Sequence, residues 1–323
     1  MAELLVAGET LIDFLPEGTR SLVDTETFHR RAGGAPANVA VGLARLGNSP
    51  LFWTRLSTDP FGDYLTNTLV QNGIQPDLIE RDSEAATTLA FVSLDPSAER
   101  TFSFHRNDTA DTRMRPGTVD DETLAGVDWV HCGGVTLADE PSRTATLDLL
   151  ERAGTAEATV SFDPNARPEL FAEGEFVEYC RRALRLADVV KATATDLLAT
   201  GVLDDGGGDN DAAGLARSIC EQGPHTALVT RGGEGALARS TPAAPWNPTR
   251  EPLVVEHGGY SVEPVDTTGA GDAFTAGAIR SLSAGESLRD AVGFANAVAA
   301  QSTTEAGAMS ALPTHTEAET LRD

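Results

Sequence analysis

The chain has 323 residues, of which 41% are hydrophobic, 23% charged and 6% aromatic; that is too apolar for a disordered tail and long enough for one large α/β domain over residues 1–323. Its 49 Asp+Glu against 24 Lys+Arg leave a net charge of −25, and no basic stripe of the kind a nucleic-acid binder carries is visible. No apolar run approaches the roughly eighteen residues of a membrane-spanning helix, and the N-terminal MAELLVAGETLIDF is acidic where an export signal needs basic residues, so a cytoplasmic protein is expected.

Short apolar runs alternate with helical stretches, the signature of βα units around a mostly parallel sheet. Leu4–Ala7 reads as the first strand, and Pro36–Leu46 as a helix with Val39, Leu43 and Leu46 on one face and Gly47 as its stop. Leu51–Leu56 is a strand. Phe61–Gln71 is a helix with Asp59 as N-cap, Pro60 in the first turn and Gly73 beyond its end. The segments 11–31 and 87–106 alternate with no intervening helix, which predicts a small antiparallel sheet projecting from the main fold. The βα rhythm returns with strand Val127–Cys132, helix Ser142–Arg152, strand Thr159–Phe162, helix Glu175–Leu186 and strand Asp188–Lys191. Helix Ala212–Glu221 and strand Thr226–Val229 follow, Asp204–Asp211 and Ser240–Pro252 read as surface loops, and a short acidic helix ends the chain.

Lys191 is the only lysine; every other residue of the Lys+Arg total is arginine. Acidity of this degree fits adaptation to high salt, because at ~1 M the Debye length falls to roughly 3 Å and self-repulsion becomes tolerable. Cys132, Cys180 and Cys220 are far apart and odd in number, which fits reduced, buried thiols rather than a disulfide framework.

The segment Val265–Phe274 (VDTTGAGDAF) runs from a strand through small residues into a helix beginning near Asp272. Gly269, Ala270 and Gly271 then lie at a helix N-terminus, whose free amides and dipole favour an anion. Asp272 stands where a general base is useful in phosphoryl transfer; the bland alternative is a capped helix with a favourably placed acid. Gly33 and Gly34 permit close approach of a ligand to the backbone, Asn38 can donate and accept as a polyhydroxy ligand requires, and Asp13 can accept from two hydroxyls. No GxxxxGK[ST] loop, HRD or DFG triplet or GxGxxG after the first strand is present, which excludes P-loop enzymes and protein kinases.

In order along the chain, Gly8-Glu9…Asp13, Gly33-Gly34-Ala35-Pro36-Ala37-Asn38, Asp163-Pro164-Asn165-Ala166-Arg167, Thr230-Arg231-Gly232-Gly233-Glu234-Gly235, Asp266–Asp272 and Gly307-Ala308…Leu312-Pro313 resemble the ribokinase-like (PfkB) family of carbohydrate kinases over nearly the whole length. The resemblance implies a Rossmann-like, mostly parallel sheet flanked by helices, with a small antiparallel β lid from about 11–31 and 87–106. It implies Asp272 as base, Gly269–Gly271 as anion hole, and Asp13, Gly33, Gly34, Asn38, Arg106 and Arg167 around the sugar. It places Lys191, Thr230, Gly232, Gly235 and Asn296 with the nucleotide, and a monovalent cation at the carbonyls around Asp266 and Thr268. ATP, Mg²⁺ and K⁺ are the implied cofactors; the exposed sheet edges of such a lid in turn suggest a homodimer through β pairing.

The family often carries Asn-x-x-Glu after the strand ending near residue 190; here Lys191-Ala192-Thr193-Ala194 stands instead, with Asp196 two residues on. GETLIDFLP, GGAPANVAVGLARLG, FHRNDTADTRM and DPNARPELF resemble the fructokinase-like branch, so fructose or a related hexose comes first. A 2-keto-3-deoxygluconate kinase usually has Tyr where Phe104 stands; because Arg106 and Arg167 can pair with a carboxylate, the sugar acid is the alternative. A non-catalytic sugar or nucleotide sensor on the same fold is a third reading.

Overall fold

The computed structural model describes residues 2–18, 22–94, 100–201 and 211–322. Nine strands form the main sheet: β1 (Leu4–Ala7), β4 (Leu51–Ser57), β5 (Ile79–Asp82), β8 (Trp129–Gly133), β9 (Thr159–Asp163), β10 (Val189–Ala192), β11 (Thr226–Thr230), β12 (Ala236–Ser240) and β13 (Leu253–His257). Their order is β13-β12-β11-β10-β9-β8-β1-β4-β5. From β11 to β5 every pairing is parallel; β12 and β13 continue the sheet antiparallel.

Burial on both faces explains why these strands read as unbroken apolar runs. In β1, Leu4 and Val6 enter one core while Leu5 and Ala7 enter the other. The first core is closed by α1 (Ala35–Arg45), α2 (Pro60–Gln71), α8 (Ala270–Ser283), α9 (Leu288–Ser302) and α10 (His315–Arg322). The second is closed by α3 (Asp121–Ala125), α4 (Ser142–Thr155), α5 (Glu175–Leu186), α6 (Ala194–Ala199) and α7 (Ala212–Glu221).

Because β4 and β5 lie to one side of β1 and β8 to β11 to the other, the topology reverses between β1 and β8. Open α/β sheets bind ligands in the crevice beyond the strand ends at such a point. Pro36 of α1 covers it: a Cβ on Gly8 would fall 2.3 Å from Pro36 Cγ, and one on Gly133 would fall 3.4 Å from the same atom.

The second sheet has the order β3-β2-β6-β7, from β2 (Leu11–Pro16), β3 (Phe28–Gly33), β6 (Leu89–Leu94) and β7 (Arg100–His105). Its outer pairings are antiparallel as expected, but the central β2–β6 pairing is parallel. The reason is topological: β2–β3 and β6–β7 are two separate excursions from the core, and their first strands leave it in the same direction. Phe14 stacks on Phe91 at 5.0 Å and meets Phe61 of α2 edge-on at 5.9 Å, which docks this sheet on the core. Asp59 adds a polar tie, for its carboxylate caps α2 through Phe61 and Gly62 and also accepts from Thr87 N and Oγ1, just before β6.

Most predicted boundaries lie within two residues of the observed ones. Of the expected loop at Asp204–Asp211 only Asp211, the N-cap of α7, is among the described residues. The predicted loop at Ser240–Pro252 holds, but the strands on either side of it, β12 and β13, belong to the main sheet.

Candidate active site

The helix α8 begins at Gly269, whose φ of 77° is left-handed. A Cβ there would fall 2.7 Å from Ala308 Cβ, so conformation and space both require glycine. The turn before it is fixed by Asp266: Oδ1 accepts from Thr268 N and Oγ1, and Oδ2 accepts from Gly307 N at 2.9 Å. These bonds brace the turn and tie it to Gly307, beside Ala308. The first-turn amides of α8 have no partner one turn before them in the helix and lie at the positive end of its dipole. Ala270 N makes a long turn bond to Thr267 O at 3.3 Å.

Asp272, in that first turn, accepts a hydrogen bond from Asn38 Nδ2 at 2.8 Å. Asn38 lies one turn into α1, so the two glycine-led helices meet at this pair. Burial pushes the Asp272 carboxyl up to about 6, while the Asn38 bond and the Lys191 charge oppose that rise. The group is therefore ionised at neutral pH yet close enough to its pKa to take a proton.

Lys191, at the end of β10, donates to Asp163 Oδ2 at 2.9 Å, and both side chains are buried. Burial works against the ammonium, but Asp163 and Asp196 outweigh it and hold Lys191 above its usual pKa. Asp196 itself is consumed locally: it closes a capping box with Thr193 and accepts from Ala166 N. Three carboxylates, of Asp163, Asp196 and Asp272, thus surround one lysine beneath Gly271.

On the lid side, Gly34 has φ 104°, and a Cβ there would fall 2.5 Å from Glu9 O. A Cβ on Gly33 would fall 2.0 Å from Asp13 Oδ2, so the bare backbone makes the room in which the Asp13 carboxylate lies. Arg167 binds Ala166 O through Nη1 at 2.8 Å and lies 5.1 Å from the Phe102 ring centroid, reaching from core to lid. Arg106 is only 6% exposed. Its Nε donates to Asp111 at 2.7 Å and its Nη1 to Asp139 at 2.6 Å, so two carboxylates already neutralise it.

On the other side, Gly232 has φ 59° and open space where a Cβ would be, as close approach of a ligand requires. Gly235 is different: a Cβ there would fall 2.1 Å from His257 O and 2.3 Å from Gly259 N, so packing against the end of β13 already demands glycine. Thr230 ends β11 and is half-buried. Asn296 is buried in α9, with Nδ2 donating to Val292 O of its own helix.

A family model described as pfkB family carbohydrate kinase matches residues 1–315. The chain belongs to that family. Its members phosphorylate sugars, and this chain is a sugar phosphotransferase. Among curated relatives, a fructokinase of Vibrio alginolyticus is 35% identical over 98% of this chain and 98% of its own. Among solved structures, fructokinase from Xylella fastidiosa with bound ATP superposes with a TM-score of 0.84 at 31% identity, covering 99% of this chain and 97% of that one. Fructokinase from Vibrio cholerae O395, in a form with fructose, ADP and calcium ion bound, gives 0.82 at 31% identity over 100% and 99%; a double mutant of it has potassium ion with fructose and ADP.

Among these pfkB features, sequence reasoning gave no role to Glu9 or Asp163, although both stand in the quoted motifs. Nothing in a one-dimensional pattern marks either as buried. Among the described residues no helix is long and apolar enough to cross a membrane, and no three His, Cys, Asp or Glu side chains are grouped to hold a metal ion.

Proposed function

We propose that the chain transfers the γ-phosphoryl group of ATP to a hydroxyl of fructose or a related neutral hexose. In this reading Asp272 takes the hydroxyl proton, the sugar oxygen bonds to the γ-phosphorus, and the bond to the β-γ bridging oxygen breaks to release ADP. The amides of Gly269, Ala270 and Gly271 steady the negative charge on the phosphoryl group in flight. The observation that carries it is the Asn38–Asp272 bond at the N-terminus of α8, because it aims a carboxylate with a pKa near 6 at the point where a helix invites an anion.

Asp13, Gly33, Gly34, Asn38 and Arg167 bound the sugar side in this reading; Lys191, Thr230, Gly232, Gly235 and Asn296 bound the nucleotide side. The state of Arg106 favours a neutral hexose over 2-keto-3-deoxygluconate. A guanidinium whose Nε and Nη1 are already held by Asp111 and Asp139 keeps only Nη2, so it cannot offer a substrate carboxylate the two-bonded fork that recognises one.

No cluster among the described residues suits a protein-held Mg²⁺, since Lys191 fills the centre of the acidic group and Asp196 is consumed by backbone and Thr193. Mg²⁺ then enters with the nucleotide, which suits its habit of binding through phosphates and few protein groups. K⁺ is assigned to backbone carbonyls of the Asp266–Thr268 turn, and the relative with potassium ion bound supports a role for that ion. We further read the chain as a single unit with its lid at 11–31 and 87–106, working as a lid-to-lid homodimer in a salt-rich cytoplasm.

The test is ATP consumption in high KCl with Mg²⁺ on fructose, 2-keto-3-deoxygluconate, ribose and fructose 6-phosphate. Preferred turnover of fructose that is lost in Asp272→Asn supports the reading; preference for the sugar acid overturns the substrate assignment. Binding without turnover of any of them overturns the catalytic one and leaves a sensor.

A further inference from the structure

The chain crosses between core and lid at four places, and charged side chains are buried at two of them. Glu9 precedes β2 by two residues, and Arg106 follows β7 directly. Glu9 is 2% exposed and Arg106 6%. A third crossing is bound to the same cluster, for Thr88, just before β6, donates to Asp111 at 2.5 Å while Arg106 donates to the other Asp111 oxygen. Two atoms of this cluster are left over. Glu9 Oε2 and Arg106 Nη2 are each buried without a hydrogen-bond partner, and the two groups attract one another. A buried donor or acceptor left without a hydrogen-bond partner costs its desolvation free energy, and more so in a group that can carry charge.

We propose that Glu9 is a positioning residue for sugar binding: as the lid settles on the sugar, the Glu9 carboxylate accepts from Arg106 Nη2 and fixes the roots of β2 and β7 in register with Asp272. The inference rests on the sugar-binding role proposed above for the crevice. The sugar itself need not touch Glu9. Its binding brings the two roots together, and the pair then resists reopening.

The proposal has a protonic signature. Burial pushes the Glu9 carboxyl up to about 8, with Arg106 opposing and Asp111 and Asp272 adding to the rise. The other titratable group facing it is the Cys132 thiol, itself raised by burial and by Glu9. Near pH 7 the free protein therefore holds Glu9 protonated. Pairing with Arg106 favours the carboxylate and lowers its pKa, so sugar binding releases this proton. By linkage, binding strengthens as pH rises towards 8 and levels off above it.

The experiment is calorimetric titration of the full chain with fructose, or with whichever sugar of the panel is turned over, in buffers of different ionisation enthalpy from pH 6 to 9. KM and kcat are followed in parallel. The wild type should release close to one proton near pH 7, and its sugar KM should then fall by about tenfold per pH unit from pH 6.5 towards 8, the slope of one linked proton. Asp272→Asn should keep a proton release, moved to lower pH because the Asp272 charge no longer raises the Glu9 carboxyl. Glu9→Gln should lose it, flatten the KM profile and raise KM by about tenfold, the value of one charge-assisted bond, with kcat within threefold. Glu9→Asp should recover part of the release. Sugar binding by the wild type without proton release overturns the proposal, as does release that survives in Glu9→Gln, while both leave the kinase reading standing. No binding of any sugar overturns the proposal together with that reading.

Discussion

Lys191 Nζ lies 2.9 Å from Asp163 Oδ2 and 2.9 Å from the place a Cβ would occupy on Gly271. A chain that uses arginine for every other residue of its Lys+Arg total keeps lysine at the point where the N-terminus of α8 meets a buried acid. A compact ammonium fits there; a planar guanidinium needs more room.

Replacing Lys191 by Met leaves Asp163 buried and unpaired. The expected loss is about 3–5 kcal/mol of stability, as for other buried pairs broken from one side, read by denaturant or thermal unfolding. Lys191→Arg keeps the charge but forces the fork against Gly271. Its stability should suffer less, while kcat falls by about tenfold or more through displacement of the turn at the N-terminus of α8. Equal kcat for Lys191→Arg and wild type would remove lysine geometry from the account.

Asp272→Asn should lower kcat by about 10²- to 10⁴-fold, the usual contribution of a positioned base, with the fold unchanged by circular dichroism. In the wild type, kcat should rise through about pH 6 as the carboxyl loses its proton, because only the unprotonated form can accept one. The Asn38 bond holds that pKa down, so Asn38→Ala should move the acidic limb to higher pH. A limb that stays in place in Asn38→Ala would separate Asn38 from the tuning of the base.

The candidate site around Asp272 stood out in the sequence because its parts are local. Gly269–Asp272 and Gly33–Asn38 each compress a turn and a helix start into a few residues, and small residues packed so densely there mark backbone that a ligand or a neighbouring chain segment approaches closely. The parallel strands were legible for a related reason, being apolar throughout. The helix α9 was not: LRDAVGFANAVAAQS is rich in alanine and buried on most sides, so it shows little contrast between faces. Glu9 and Asp163 were invisible as buried acids because burial depends on segments distant in the chain; Asp163, for instance, meets Lys191 28 residues on. The parallel β2–β6 pairing was equally out of reach, since alternation shows that a strand has two faces and not which neighbour it takes.

Gly33 and Gly34 should respond differently to the same methyl group. At Gly34 the new Cβ meets backbone, Glu9 O at 2.5 Å, with φ at 104°; Gly34→Ala should cost stability by about 1–3 kcal/mol from backbone strain alone. At Gly33 it meets the end of a side chain, Asp13 Oδ2 at 2.0 Å, which can swing aside. Gly33→Ala should therefore fold and show its defect in sugar KM. Melting curves and sugar titrations of the two variants check the contrast, and an unaffected KM in Gly33→Ala would take Asp13 away from the sugar.

The four-stranded lid sheet ends in β3 and β7, whose outer edges have no strand beside them among the described residues. Such edges invite pairing with another chain, and a homodimer at micromolar concentration is the expected outcome by light scattering. A monomer at that concentration would remove the lid-to-lid assembly and leave the catalytic reading intact.

Salt should act on this protein in two separable ways. The net charge of −25 repels itself and repels ATP at low ionic strength, and both effects fade as the Debye length falls from about 10 Å at 0.1 M towards roughly 3 Å at 1 M. Melting temperature and the apparent affinity for ATP should therefore rise with any monovalent chloride. A cation held by carbonyls of the Asp266–Thr268 turn would add a term that distinguishes ions, because that turn, pinned by Asp266 to Gly307, leads directly into the N-terminus of α8. At equal ionic strength kcat should then be higher in KCl than in NaCl or tetramethylammonium chloride, while melting temperatures in the three salts stay close. Equal kcat in all three would remove the bound cation and leave screening alone. A flat or falling profile of both activity and melting temperature from 0.1 M to several molar, with the fold intact, would instead remove the adaptation to salt, and the acidity of the surface would then need another cause.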